Sequence, residues 1–189
     1  MPAKPTKSIG LIYQLKITLR ASRPPIWRRV LVPGDFGLHK LHQVVQIAMG
    51  WTNSHLHLFI VDGTEYGEPH ADDRTEVEDE RRFALRQVAP REKARFVYEY
   101  DFGDDWLHAI VVEAVSPPEP GVKYPLCAKG KRACPPEDVG GMWGYGTFLE
   151  AIRDPRHEEH ASYLEWIGGG FDPEAFDLDA INQALRRVK

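Results

Sequence analysis

The chain has 189 residues, a length that suits one domain with a sizeable core. Its 42% hydrophobic, 11% aromatic and 28% charged residues exclude a disordered or fibrous chain. A net charge of −4 argues against wholesale coating of nucleic acid, two cysteines exclude a disulfide framework, and no apolar run reaches the length of a membrane span. The expectation is a cytoplasmic protein without a membrane partner.

Residues 1–8, with Pro2, Lys4, Pro5 and Lys7 and no periodicity, read as a flexible tail, which leaves 9–189 as a single domain. Ile9, Leu11, Tyr13, Leu15, Ile17 and Leu19 fall on every second position and predict a long strand with one buried face. Pro24-Pro25 interrupts it, and Ile26–Val32 returns as its antiparallel neighbour. Leu38, Leu41, Val45 and Ala48 make one stripe of a helix that Gly50 closes. His55–Val61 predicts a short strand ending at the turn Asp62-Gly63. The acidic stretch Glu65–Glu80 reads as a solvated, mobile loop.

Phe96, Tyr98, Tyr100 and Phe102 alternate with Arg95, Val97, Glu99 and Asp101 and predict a strand that buries aromatics. Gly103-Asp104-Asp105 turns the chain, and Trp106–Val115 returns as a strand apolar on both faces, and so either central or covered by helices. Residues 116–146 are rich in proline and glycine and are expected to form an ordered loop packed on the sheet through Trp143 and Tyr145. Three helical stripes follow, around Tyr145–Ile152, His160–Ile167 and Leu178–Val188, the last capped by Asp177. The fold class is α+β: a mainly antiparallel β-sheet with one helix after the first two strands and a C-terminal helical segment.

Several segments occur together in a familiar order. They are Pro24-Pro25-Ile26-Trp27-Arg28-Arg29-Val30, Leu41-His42-Gln43 running on to Ala48-Met49-Gly50-Trp51, and His55-Leu56-His57-Leu58-Phe59. Tyr100-Asp101-Phe102-Gly103-Asp104-Asp105-Trp106-Leu107-His108, Cys134-Pro135-Pro136-Glu137-Asp138-Val139-Gly140-Gly141 and Phe171-Asp172-Pro173-Glu174-Ala175-Phe176-Asp177 complete the set. From about Tyr13 to Leu185 the chain resembles the plasmid pRiA4b open-reading-frame-three-like family. Some members carry a transposon-passenger "TnpR" label, so the resemblance implies a link to mobile genetic elements and no defined activity. Many relatives have a cysteine where this chain has Val139, which weakens a three-cysteine site. The resolvase label fails a chemical check: among Ser8, Ser22, Ser54, Ser116 and Ser162 only Ser22 has arginine neighbours, and no basic recognition helix follows.

The residues that could carry chemistry are few. His57 and His108 with Asp101, Asp104 and Asp105 are the candidate catalytic set, since imidazole and carboxylate together serve acid–base or metal-assisted hydrolysis. His55, His57 and His108 are the candidate metal ligands. Cys127 and Cys134 rank behind them because their spacing suits no zinc motif, although Lys129, Lys131 and Arg132 between them favour a thiolate. The competing account makes His57 and His108 half-buried strand residues, and makes His39 and His42 part of a helix surface. Arg20, Arg23, Arg28 and Arg29, with Lys16 and Trp27, form the densest basic stretch; Trp27, Arg28 and Arg29 are its binding candidates, with Trp143 as a further one, and a solvated strand face paired with the acidic loop is the plainer account.

The leading expectation is a binding or interaction module for an unknown protein or ligand, with no cofactor. A metal-dependent hydrolase or nuclease using a divalent metal comes second. A nucleic-acid-binding protein, disfavoured by the net charge, comes third.

Overall fold

The computed structural model describes residues 10–69 and 77–189, and one eight-stranded sheet organises them. Strands β1 (Ile12–Leu19) and β2 (Trp27–Pro33) pair antiparallel across the double proline, with Thr18 opposite Trp27. Tyr13, Leu15, Ile17 and Leu19 are buried as their period-two spacing requires. Leu11 departs from the pattern: it lies before the strand and is 51% exposed. Ile9 lies outside the described residues.

Helix α1 (Leu38–Met49) follows and seats Leu38, Leu41, Val44, Val45 and Ala48 in the core. Each large side chain so buried contributes ~1.5–3 kcal/mol. Gly50 ends the helix with φ 99°, a left-handed geometry that favours glycine.

The acidic stretch is not the loop its composition predicts. After β3 (His57–Val61), the chain turns at Asp62-Gly63 into β4 (Thr64–Gly67), and β5 (Glu78–Asp79) adds parallel to β4. A single 3-10 turn, Glu80–Arg82, and the short helix α2 (Leu85–Val88) follow. Tyr66 packs edge-on against Phe83 at 5.0 Å, which anchors this otherwise polar edge. Residues 70–76 of the stretch lie outside the described residues.

Strands β6 (Arg95–Tyr100) and β7 (Trp106–Ser116) form a hairpin, and β8 (Leu126–Lys131) pairs with β2 at the far edge. The order is β5-β4-β3-β6-β7-β1-β2-β8, antiparallel throughout except at β4–β5. β7 is central, one of the two arrangements expected, but its two faces differ. Trp106, His108, Ile110 and Val112 are buried, whereas Leu107, Ala109 and Val111 are only half-buried. The same alternation in β1, β2 and β6 shows that the core lies against one face of the sheet.

Residues 116–146 are ordered, but not through Trp143. Helix α3 (Gly141–Arg153) turns Tyr145, Phe148 and Ala151 inward. Trp143, two residues before Tyr145 and so about 200° around the axis, is 85% exposed. Helices α4 (His160–Ile167) and α5 (Leu178–Leu185) complete the fold, the Asp177 carboxylate accepting from the Ala180 amide at 2.9 Å. The Asn182 side chain accepts from the Cys127 amide at 2.7 Å and donates to the Cys127 carbonyl at 2.9 Å, so α5 covers part of the exposed edge of β8. Among the described residues no helix is long and apolar enough to cross a membrane.

Candidate functional site

Where α1 passes the β3–β4 edge, a polar cleft of about 720 Å³ opens, lined by His39, His42, Asn53, His57, Glu65 and Glu80 among others. That volume lies within the range of small-molecule sites. Its floor is a buried polar network. The His42 ring from α1 lies flat on the His57 ring from β3, with centroids 3.5 Å apart and planes 8° from parallel. His57 donates from Nε2 to Glu80 Oε2 at 2.8 Å, and Glu80 is only 4% exposed.

On the other side of the stack every hydrogen can be assigned. His42 Nε2 donates to Asn53 Oδ1 at 2.6 Å, so Nδ1 must accept from the Tyr98 hydroxyl at 2.8 Å. Tyr98 in turn accepts from Gln46 Nε2 at 2.9 Å, and Gln46 Oε1 accepts from the Asn53 amide at 3.0 Å. Burial, reinforced by the adjacent His57 ring, pushes His42 down to about 3. His42 is therefore neutral at physiological pH. A neutral ring can stack face to face on a partner that is held by a carboxylate, whereas two imidazolium rings at that distance would repel.

A second cluster sits at the cleft's rim. His55 precedes β3 rather than lying on it, and its Nε2 is 2.9 Å from Asp138 Oδ1 and 3.5 Å from Asp101 Oδ2. The ring nitrogen is buried and makes no hydrogen bond among the described residues. Close by, Tyr100 donates to Glu137 Oε1 at 2.5 Å and accepts from the Ser54 amide at 2.9 Å. Burial and the Glu137 carboxylate hold that phenol protonated.

The other candidates fall elsewhere. His57 and His108 point to the same face, but β6 runs between their strands, so Tyr98 and not the second imidazole is the neighbour of each. His108 is fully buried, with Nδ1 donating to the Tyr98 carbonyl at 3.3 Å, and burial pushes it down to about 4. Of the hairpin carboxylates, only Asp101 turns toward a histidine. Asp104 Oδ2 accepts from the Gly140 amide at 3.1 Å, and Asp105 is exposed with φ 53°, in a turn conformation aspartate tolerates.

The thiols and the basic stretch also read differently in three dimensions. Burial pushes both cysteine thiols up, Cys134 to about 12, so the flanking Lys129, Lys131 and Arg132 do not produce a thiolate. Arg28 is 2% exposed and donates to the carbonyls of Ala48, Trp27 and Lys131. Arg29 points to the opposite face and grips Glu113 of β7 with two hydrogen bonds, not the acidic stretch. The Arg29 guanidinium and the Lys16 ammonium both approach the Trp27 ring, at 5.4 and 5.5 Å from its centroid. Trp143 lines neither the cleft nor the rim cluster.

Sequence reasoning missed His42, Glu80, Tyr98 and Asp138. A signal existed for His42, which is adjacent to Leu41 and four residues after Leu38 on the buried stripe. None existed for Glu80 and Asp138, which sit in an acidic run and a proline–glycine loop.

A protein-family model described as plasmid pRiA4b ORF-3-like protein matches residues 11–180. The chain is 41% identical over 179 residues to the uncharacterized protein y4hQ of Sinorhizobium fredii (strain NBRC 101917 / NGR234), covering 94% of this chain and 92% of that one. It is also similar to a crystal structure, the protein of unknown function MM3350 from Methanosarcina mazei Go1, with TM-score 0.83 and 35% identity, over 93% of this chain and 98% of that one. Neither description names an activity, so the comparisons supply ancestry and fold and leave the chemistry to the geometry. Matched along nearly its whole length, the chain belongs to the plasmid pRiA4b ORF-3-like family.

Proposed function

We infer that the protein is a binding module whose cleft takes a small polar molecule carrying a positively charged amine. One observation carries this reading: the His42–His57–Glu80 floor is buried, hydrogen-bonded and held in place before any ligand arrives. Preorganised polar groups lower the ordering cost of binding. The charge of the lining sets the ligand class. Among the described residues, Glu65, Glu68 and Glu80 line the cleft against one fixed cation, Arg81, which is already paired with Glu68 at 2.7 Å. An ammonium group is therefore favoured over an anion. Two free cysteines support a reducing, cytoplasmic setting, and family membership supports a link to mobile genetic elements.

Titration with 1,4-diaminobutane and with inorganic phosphate, followed through the histidine ring resonances, tests the reading. The diamine should shift the His42 and His57 signals saturably, and phosphate should not. Glu65→Gln, a surface-accessible change, should weaken the diamine, and Glu80→Gln should weaken it further in a chain that still shows a cooperative unfolding transition. An equal response to phosphate, or no response to the diamine, overturns it.

A further inference from the structure

His55, Asp101 and Asp138 reach one point from three separate stretches: the lead-in to β3, the residue after β6 and the loop before α3. Their ligand atoms, one nitrogen and two carboxylate oxygens, all lie within 4.8 Å of one another. Two carboxylates brought to a single imidazole repel each other unless a positive charge sits between them. A hydrogen bond from the ring would be the ordinary way to hold them. Nε2 has no hydrogen-bond partner among the described residues, so the contact of 2.9 Å to Asp138 and that of 3.5 Å to Asp101 are near approaches without a hydrogen bond.

That pattern is the one a shared cation produces. Bonds of about 2.0–2.2 Å from a metal to nitrogen and oxygen, at 90–110°, separate the two ligand atoms by about 2.8–3.6 Å and place the metal, not the oxygen, on the nitrogen lone pair. Both nitrogen–oxygen separations fall in that interval, and the two oxygens lie within 4.8 Å of each other. The Asp101 side chain is 10% exposed, and its Oδ1 already accepts from the amides of Gly103 and Asp104, which leaves Oδ2 facing His55. The Asp138 side chain is 69% exposed, which leaves one side of the cluster open to water.

We propose that His55 Nε2, Asp101 Oδ2 and Asp138 Oδ1 bind one first-row divalent metal ion at the rim of the cleft, with water completing its coordination. One imidazole with two carboxylates suits Zn²⁺, Co²⁺ or Mn²⁺, whereas Ca²⁺ and Mg²⁺ prefer oxygen ligands throughout. The site does not rest on the amine-binding reading, because neither Glu65 nor Glu80 contributes to it.

Titrating the full, chelator-treated chain with Co²⁺ and recording its visible absorption tests the site. One Co²⁺ per chain should give a saturable band that Zn²⁺ displaces. His55→Gln and Asp138→Asn should each weaken binding by at least about tenfold, since even outer-shell changes at metal sites reach that size. Asp138 is largely exposed, so its variant should keep the wild-type circular dichroism, and Asp105→Asn should bind as wild type. No saturable band, undiminished binding in Asp138→Asn, or a band lost in His57→Gln but kept in His55→Gln would overturn the assignment.

Discussion

Tyr98→Phe removes a single oxygen from the floor of the cleft and leaves the ring in place. That oxygen donates to His42 Nδ1 at 2.8 Å and accepts from Gln46 Nε2 at 2.9 Å, inside a side chain that is fully buried. The substitution therefore strands one acceptor and one donor where water does not replace the lost partner. Each buried group left without a partner costs ~1–3 kcal/mol. Their ring contacts persist, so the expected loss is roughly 2–4 kcal/mol, somewhat below the simple upper limit for two groups. In a chain of this size that corresponds to a fall in melting temperature of roughly 4–16 °C. Urea unfolding should show a lower midpoint with an unchanged slope, because the surface exposed on unfolding is the same. The His42 ring should keep the Nε2–H form that Asn53 Oδ1 enforces, while the nitrogen chemical shift of Nδ1 reports the loss of its donor. A loss below about 0.5 kcal/mol, the level of an ordinary surface substitution, would refute the reasoning.

Acid should destabilise the protein well before its surface carboxylates are all protonated. His42 and His108 are held neutral in the folded chain, at about 3 and about 4, so the unfolded chain binds more protons as pH falls below about 6.5. Stability is then complete above that value and declines down to about pH 4, by about 3 kcal/mol through His108 and a comparable amount through His42. Unfolding midpoints measured from pH 7 to 4 check this, and a flat profile would contradict it. Arg28→Ala should cost roughly 2–4 kcal/mol by removing a buried guanidinium that donates to one buried and two part-buried carbonyls, while Arg29→Ala should cost no more than about 1 kcal/mol; electrophoretic mobility assays should show no appreciable duplex DNA binding by the wild type at physiological salt. Trp143→Ala should change stability by less than about 0.5 kcal/mol. Tyr145→Phe should be neutral or stabilising in the same assay, because it removes a buried hydroxyl that has no partner among the described residues.

Much of the fold was legible residue by residue. The alternation from Tyr13 to Leu19, the α1 stripe, and the helix ends at Gly50 and Asp177 each follow from a local rule. Together they indicate the α+β class, and the ordered motifs indicate the family. The acidic stretch misled because composition reports average exposure, and it hid both a strand pairing and the buried Glu80. Hydrophobic periodicity states which face of an element is buried, not which distant element will lie against it. Only the strand order put β6 between His57 and His108, and only loop closure brought Glu80 to His57 and Asp138 to His55. Such meetings depend on contacts between residues tens of positions apart, and no local pattern encodes them.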